Sequence, residues 1–245
     1  MAFEDYGAEG SQYDTHTTQQ YELGTRMNIG ERVYHYASVG SAGAVVVANV
    51  MQAAVEVATN AEDMALATTA AGSRTVVATL GATAATENQF KDGYFNLNNA
   101  AGEGGHYYVV ASHPAAEGGA TCEITLKATL QTAITNGTET GGLTRNSYQD
   151  VIVMPTTVTG APAGVTNIDI AASSFGWLQT WGPCAVLADN TTHVIGKAAA
   201  ASVATAGAIA LNDTSGSTDA PQIGHNLGTV AVSTEFQMIY LRIAP

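Results

Sequence analysis

Short runs of β-prone residues, broken by turn residues, constrain the fold of this chain more than any other feature. From residue 166 onward such runs recur roughly every ten residues, with Gly, Pro, Asn or Asp between them, as is typical of sandwiches and barrels. The runs cover 168–170, 176–180, 184–188, 192–195, 208–211, 228–233 and 235–243. Little room is left between them for helices, so this part of the chain is predicted to be a β unit.

The preceding part of the chain follows the same pattern. The run that begins at Thr121 alternates apolar and polar residues, as a half-buried strand does. Valines in 44–58 favour two short strands over a helix, and 87–93 predicts one helical turn. Further β-prone runs lie at 33–37, 75–80, 94–97, 106–112 and 150–154. We therefore predict an all-β fold, a β-sandwich or β-barrel body of short antiparallel strands with an extended N-terminal arm.

Three segments are predicted along the chain. They are an extended arm over residues 1–30, a β-sandwich-like domain over 31–160 and a small β-barrel-like domain over 161–245. The boundary between the two domains is placed in 156–166, where Pro162 and two glycines lie between apolar runs. A stretch of this composition is typical of a linker between domains.

The predicted arm is acidic and polar and holds three spread tyrosines. Tyr6, Tyr13 and Tyr21 stand among Gly, Gln, Thr and carboxylates, without a helical or two-residue period. A tyrosine on such a segment can bury its ring on a partner while its hydroxyl keeps a polar contact. The arm is therefore expected either to anchor the chain on a neighbour or to be a loose terminus with incidental aromatic residues.

The charge of the chain excludes two classes of partner. Asp and Glu number 21 against 8 Lys and Arg, which gives a net charge of −13. A chain of this charge repels phosphate backbones and anionic membrane surfaces, so no nucleic acid and no membrane is expected as a partner.

The apolar residues of the chain are largely Ala and Val, which bury little area each. We therefore expect it to gain stability against other copies of itself, in a homo-oligomer.

No motif for catalysis, cofactor binding or metal coordination stands out. The histidines never take HxxxH, HxH or HExxH spacing, and there is no GxSxG or Walker A sequence. Abundant carboxylates alone are weak support for a hydrolase. Cys122 and Cys184 are compatible with one disulfide, two buried thiols or one of each, of which two small core residues are favoured. We predict a protein that is not an enzyme, with no catalytic residue, cofactor or metal.

Trp177 and Trp181 are the most informative aromatic pair. Residues four apart in a strand face the same side of a sheet, so the two indoles could form a platform for stacking on a sugar. The same spacing suits packing in a core or between subunits. Packing is the favoured interpretation because the chain has few other large aromatic residues.

Several stretches together resemble a known family. They are 21–26, which ends at Arg26, followed by 33–37, then 175–187, and finally 223–225 leading through 228–231 to 235–241. The arrangement resembles structural proteins encoded beside the major capsid gene of marine tailed phages and, more loosely, small β-barrel capsid decoration (cement) proteins. The resemblance covers roughly residues 21–58 and 166–245 and is one of pattern.

This resemblance implies a cement protein of the virion. Such a protein would be a homo-oligomer, commonly a trimer, that binds the major capsid protein on the outer capsid surface after assembly in the host cytoplasm. The candidate interface residues are Tyr6, Tyr13, Tyr21, Arg26, Trp177 and Trp181. The alternative is a non-catalytic head-fibre or tail-associated module that binds host-surface glycans through its tryptophans.

Overall fold

A computed structural model describes residues 5–99, 104–212, 220–229 and 235–245. Strands, with isolated bridges included, make up 42% of the described residues and helices 3%, so the predicted all-β class is confirmed. The helical segments among these residues are a 3-10 turn at Ser11–Tyr13 and a one-turn helix α1 (Ala58–Ala61). None of the helices described has the length and apolar character to cross a bilayer.

The strands are short, with one exception. In chain order they are β1 (Asp5–Tyr6), β2 (Arg26–Ile29), β3 (Arg32–Ser38), β4 (Val50–Gln52), β5 (Met64–Ala65), β6 (Thr75–Thr79), β7 (Tyr94–Leu97), β8 (Tyr107–Ser112), β9 (Thr121–Leu126), β10 (Thr140–Thr144), β11 (Ile152–Val153), β12 (Pro162–Thr166), β13 (Phe175–Leu187), β14 (Ala198–Ala201), β15 (Ile209–Leu211), β16 (Gln222–Asn226) and β17 (Phe236–Arg242). The exception is β13, with 13 residues.

The chain forms two compact units. Unit 1 comprises Met1–Val55 and Ser147–Pro245, and unit 2 comprises Glu56–Asn146. The chain leaves unit 1 after β4 and returns to it before β11, and these two strands pair with each other through Met51 and Val153. Unit 2 is therefore an insertion between two neighbouring strands of unit 1.

These units do not coincide with the segments predicted over 31–160 and 161–245. The stretch taken as a linker contains β12, which pairs with both β4 and β13 inside unit 1. Gly164 has a φ of 149°, and a Cβ there would lie 2.8 Å from the Cβ of Leu178. Gly164 is needed because the bulged strand β12 approaches β13 closely at this point. A composition that is typical of a linker therefore belongs, in this protein, to a packed strand.

The sheet of unit 1 is built around β13. Its main path is β1-β2-β3-β13-β17-β16-β14-β15, with β4, β11 and β12 attached beside it. The two strands predicted at 176–180 and 184–188 are one continuous strand. It contains a β-bulge between Gln179 and Trp181, which shifts the register of its pairing with β3 but does not end the strand. Apolar clusters lie on the sheet, one of them around Val186, Ile223 and Ile239.

Unit 2 has one antiparallel sheet of order β5-β10-β7-β8-β9-β6. Its core includes Phe90, Phe95 and Ile124, each at most 1% exposed. Helix α1 lies against β10 at Gly142, where a Cβ would be 1.9 Å from the carbonyl oxygen of Ala61. The missing side chain therefore lets the helix backbone contact the sheet directly.

Four local predictions were wrong. Residues 87–93 form successive turns rather than a helical turn, because Asn88 and Asp92 take φ values of 58° and 61°. Residues 168–170 and 192–195 form no strand, and β4 is the one strand in 44–58, where Val45 makes an isolated bridge to Ile170. Part of 228–233 lies outside the described residues.

Candidate interaction surfaces

The N-terminal segment lies on the body of its own chain. Tyr6 pairs with Asn28 in a parallel ladder, and His16 forms a bridge to Phe175 of β13. Gln12 is fully buried. The described part of the segment is therefore attached to unit 1 at several points, and this corrects the expectation of an arm that is extended or loose on its own. Its attachment rests on backbone pairing, which side-chain patterns in the sequence do not reveal.

The candidate tyrosines of this segment differ in environment. Tyr13 is half exposed, at 50%, and makes no ring contact among the described residues. Tyr21 is 42% exposed, and its ring centroid lies 5.1 Å from that of Tyr36 and 5.3 Å from that of Trp177. Tyr21 therefore covers an aromatic cluster of unit 1, whereas Tyr13 faces solvent.

Trp177 belongs to the core. It is 2% exposed and packs in a cluster with Met27, Tyr34 and Tyr36. A ring this buried offers no face to a sugar. The tryptophan platform of the glycan-binding alternative is therefore not formed. Trp177 packs in the core, which was the favoured interpretation.

Trp181 lies on the other side of the sheet. Trp177 pairs with Tyr36, and Gln179 with Tyr34, but Trp181 pairs with Val33 because the bulge adds one residue to β13. A bulge of one residue reverses the alternation of side chains, so the two tryptophans face opposite ways. Trp181 contacts the ring of Tyr240 edge-on, with centroids 5.9 Å apart, and the guanidinium of Arg242 at 6.0 Å.

Arg26 is half-buried at the start of β2, opposite His35 in the ladder. Burial, helped by the charge of Arg26, lowers the pKa of His35 to about 4. The imidazole of His35 stacks on Tyr148 with centroids 4.8 Å apart, and its Nδ1 lies 3.1 Å from Oγ1 of Thr180. His35 is therefore part of the interior of unit 1, and Arg26 lies at its edge.

An exposed apolar face on unit 1 was missed by the sequence reasoning. It is the side of β13, β16 and β17 that carries Trp181, and we call it the outer face. Its residues are defined by ladder register and ring contacts: Trp181, Pro183, Ala185 and Leu187 on β13, Phe236, Met238, Tyr240 and Arg242 on β17, and His225 and Leu227 at β16. Phe236, Met238 and Leu227 are 56%, 47% and 40% exposed. None of the ten residues is Asp or Glu.

A groove in unit 2 was also missed. It has a volume of about 530 Å³ and is lined by Glu56, Ala61, Glu62, Tyr94, Asn96, Asn98, Tyr107 and Thr144. Tyr94, Asn96 and Asn98 alternate with the buried Phe95 and Leu97, so they share the outer side of β7. This alternation is visible in the sequence and could have indicated the site.

The thiol of Cys184 and the imidazole of His35, both with shifted pKa values, are buried in unit 1. Burial raises the pKa of the Cys184 thiol to about 12, and both cysteines are free and buried. Ser202 donates to Oδ2 of Asp189 at 2.7 Å, and Nδ1 of His193 lies 3.2 Å from Oδ1 of Asn226. Because Ser202 bonds the carboxylate and not the imidazole, this buried group lacks the geometry of an activated hydroxyl.

Within the described ranges, no three His, Cys, Asp or Glu side chains come close enough to hold a metal ion. Comparisons of the chain with protein-family models, with curated proteins and with solved structures gave no match.

Proposed function

We propose that this chain is a structural protein of a tailed-phage virion. In this proposal it is not an enzyme. It forms a homo-oligomer, a trimer, and binds the major capsid protein on the outer surface of the capsid, where it stabilises the shell by bridging capsomers. The observation that carries the proposal is the outer face of unit 1, which is apolar, exposed and free of carboxylates. The capsid as partner is supported by the sequence resemblance described above.

The charge distribution favours a second copy of the chain as occupant of the outer face. Each copy carries a net charge of −13, so two copies repel each other over most of their surface. The outer face has exposed Phe236 and Met238 and no carboxylate, and it includes the cation Arg242. Contact there buries apolar area without bringing carboxylates together, as self-association requires.

The buried state of the reactive groups supports a structural role. A thiol acts as a nucleophile through its thiolate, and burial of Cys184 disfavours that form. His35, the imidazole with a shifted pKa, lies in the interior and stacks on Tyr148. Such groups stabilise a fold and do not meet a substrate.

The oligomer is tested by native mass spectrometry and sedimentation velocity of the full chain. The expected species is a trimer at micromolar concentration. Met238→Glu should shift the species to monomer, because a carboxylate would face its own copy. Val46→Glu is the control, since Val46 is 52% exposed but outside the outer face. A wild-type monomer, or a Met238→Glu trimer, would contradict the proposed contact.

The capsid is tested separately by co-sedimentation with expanded capsids assembled from the major capsid protein of the same virus. The expected result is saturable binding together with a higher temperature of capsid disruption. Absence of binding by a correctly oligomerised chain would overturn the capsid assignment and leave self-association standing.

A further inference from the structure

We propose that the groove of unit 2 is a binding site for an uncharged oligosaccharide. This inference is independent of the outer face of unit 1 and of the capsid proposal, because it rests on residues of unit 2 alone. It also differs from the tryptophan platform considered from the sequence, since the aromatic rings involved are Tyr94 and Tyr107.

The two tyrosines are placed for contact with a ligand. Tyr94 is 41% exposed and Tyr107 is 69% exposed, the largest exposed fraction among the large hydrophobic side chains of the described residues. They stand on the neighbouring strands β7 and β8, with ring centroids 6.0 Å apart and planes at 71°. An exposed tyrosine ring offers both an apolar face and a hydroxyl group. A sugar has C–H groups on one side and hydroxyls around its edge, so it can contact both parts of the tyrosine.

Polar side chains line the rest of the groove floor. Asn96 follows Tyr94 by two residues on β7 and lies opposite Tyr107 in the ladder, so its amide stands beside both tyrosines. Asn98 is held in place by the hydroxyl of Thr140, which donates to its Oδ1 at 2.9 Å. Amides offer both donors and acceptors, so they can pair with adjacent hydroxyl groups of a pyranose.

The wall of the groove is fixed in position. It consists of α1 and its flanks, which contribute Ala61 and the carboxylates of Glu56 and Glu62. The backbone of α1 contacts β10 at Gly142 and the loop after β6 at Gly81, where a Cβ would be 1.9 Å from the carbonyl oxygen of Thr59. These two backbone contacts fix α1 on two sides, so the wall of the groove is preformed, as ligand sites usually are.

The charge of the groove selects among ligand classes. Glu56 and Glu62 line it, and no Lys, Arg or His among the described residues does. The two carboxylates repel phosphorylated, sulfated and sialylated ligands. They accept hydrogen bonds from hydroxyl groups, which a sugar supplies. A polyproline peptide has backbone carbonyl oxygens but no donors, so it cannot make these bonds.

The geometry of the rings argues against a flat ligand. A nucleobase or other planar aromatic ring stacks best between parallel faces, whereas the rings of Tyr94 and Tyr107 are inclined by 71°. Successive units of an oligosaccharide are tilted relative to each other, so each ring can contact a different unit. A groove of about 530 Å³ falls within the usual size of ligand sites.

The test uses the full chain on an array of neutral gluco-, galacto-, manno- and N-acetylglucosamine oligosaccharides. Heparin, sialylated glycans and a proline decapeptide are included as comparators. The expected result is binding to at least one neutral series and none to the comparators. Isothermal titration of the bound series should then show that Tyr107→Ala weakens binding at least tenfold. Tyr107 is mostly exposed, so this variant should keep the wild-type melting temperature.

Tyr13→Ala is the matched control, an exposed tyrosine of unit 1 outside the groove, and it should bind as the wild type does. A second groove variant, Asn96→Ala, should also weaken binding. Failure to bind any neutral series, binding to the anionic or peptide comparators instead, or unchanged affinity of the folded Tyr107→Ala and Asn96→Ala variants would each overturn the proposal. None of these outcomes affects oligomer formation or capsid binding.

Discussion

Tyr34 and Tyr36 lie two positions apart on β3, and both side chains are fully buried in the same aromatic cluster, but their hydroxyl groups differ. The Tyr36 hydroxyl accepts from the backbone N–H of Gln20 at 3.2 Å and lies 3.2 Å from Nδ1 of His16. The Tyr34 hydroxyl has no hydrogen-bond partner among the described residues. Burial raises the pKa of Tyr34 to about 12, so the group stays neutral.

This difference predicts opposite effects of the same substitution. Tyr34→Phe removes a buried hydroxyl that makes no bond, so it should leave the free energy of unfolding unchanged or raise it by up to ~1 kcal/mol. Tyr36→Phe removes a bonded hydroxyl and should lower the free energy of unfolding by about 0.5–1.5 kcal/mol. Urea denaturation of both variants measures the difference. Equal losses would show that the Tyr34 hydroxyl is bonded in solution.

The N-terminal segment is predicted to stabilise its own unit through Tyr21. Tyr21→Ala removes a ring that packs on Tyr36 and Trp177, so we expect a loss of about 1–3 kcal/mol in the free energy of unfolding. Tyr13→Ala, on the same segment but without a ring contact, should stay within about 0.5 kcal/mol of the wild type. Urea denaturation followed by tryptophan fluorescence measures both. A negligible effect of Tyr21→Ala would mean that the segment is detached in solution.

The fold class was predictable because turn residues and alternation are local properties of the sequence. Those signals placed β7, β8 and β9 correctly. The positions of Trp177 and Trp181 were not predictable, since one bulged residue reverses the side that a strand presents. No local sequence pattern indicates the position of the bulged residue in β13. Gly182 and Pro183, which follow it, instead suggest that the strand ends there.

The candidate surfaces depend on pairings between distant parts of the chain. Tyr94 and Asn96 alternate with core residues in the sequence, which shows that they face away from the core. The position of α1 beside them depends on the contact of Ala61 with Gly142, two residues about 80 positions apart in the sequence. The outer face likewise needs β13 and β17 side by side, and β17 reads from sequence as a strand that is apolar on both sides.

Acid is predicted to destabilise unit 1 through His35. The folded-state pKa of His35 is about 4 and its ordinary value is 6.5, so the unfolded chain binds more protons between these values. The stabilisation is complete above pH 6.5 and is lost as the pH falls toward 4, by roughly 3 kcal/mol in total. The free energy of unfolding, measured in urea from pH 7 to pH 4, should fall accordingly.

The variant His35→Phe tests whether this slope belongs to His35. Phenylalanine keeps a ring against Tyr148 but cannot bind a proton, so the pH dependence between 6.5 and 4 should become shallower. The variant should be less stable than the wild type at pH 7, because the contact with Thr180 is lost. The same slope in both proteins would assign the effect to another group.

The two cysteines are predicted to report separately on the two units. Cys122 is 1% exposed in the core of unit 2 and Cys184 is 3% exposed in unit 1. Burial raises the pKa of both thiols, so the thiolate that reacts with iodoacetamide is scarce in the folded protein. Native protein at pH 8 should therefore be labelled at neither position over an hour, whereas protein in 8 M urea should be labelled at both.

Labelling at intermediate urea concentrations, followed by peptide mass spectrometry, gives an unfolding curve for each cysteine. Tyr21→Ala should move the Cys184 curve to lower urea, because Tyr21 packs in unit 1. Gly142→Ala should move the Cys122 curve, since its Cβ would collide with α1 in unit 2 at a cost of about 1–3 kcal/mol. Gly43→Ala has open space around the added Cβ and should move neither. Stoichiometric labelling of Cys184 in native protein would contradict its burial.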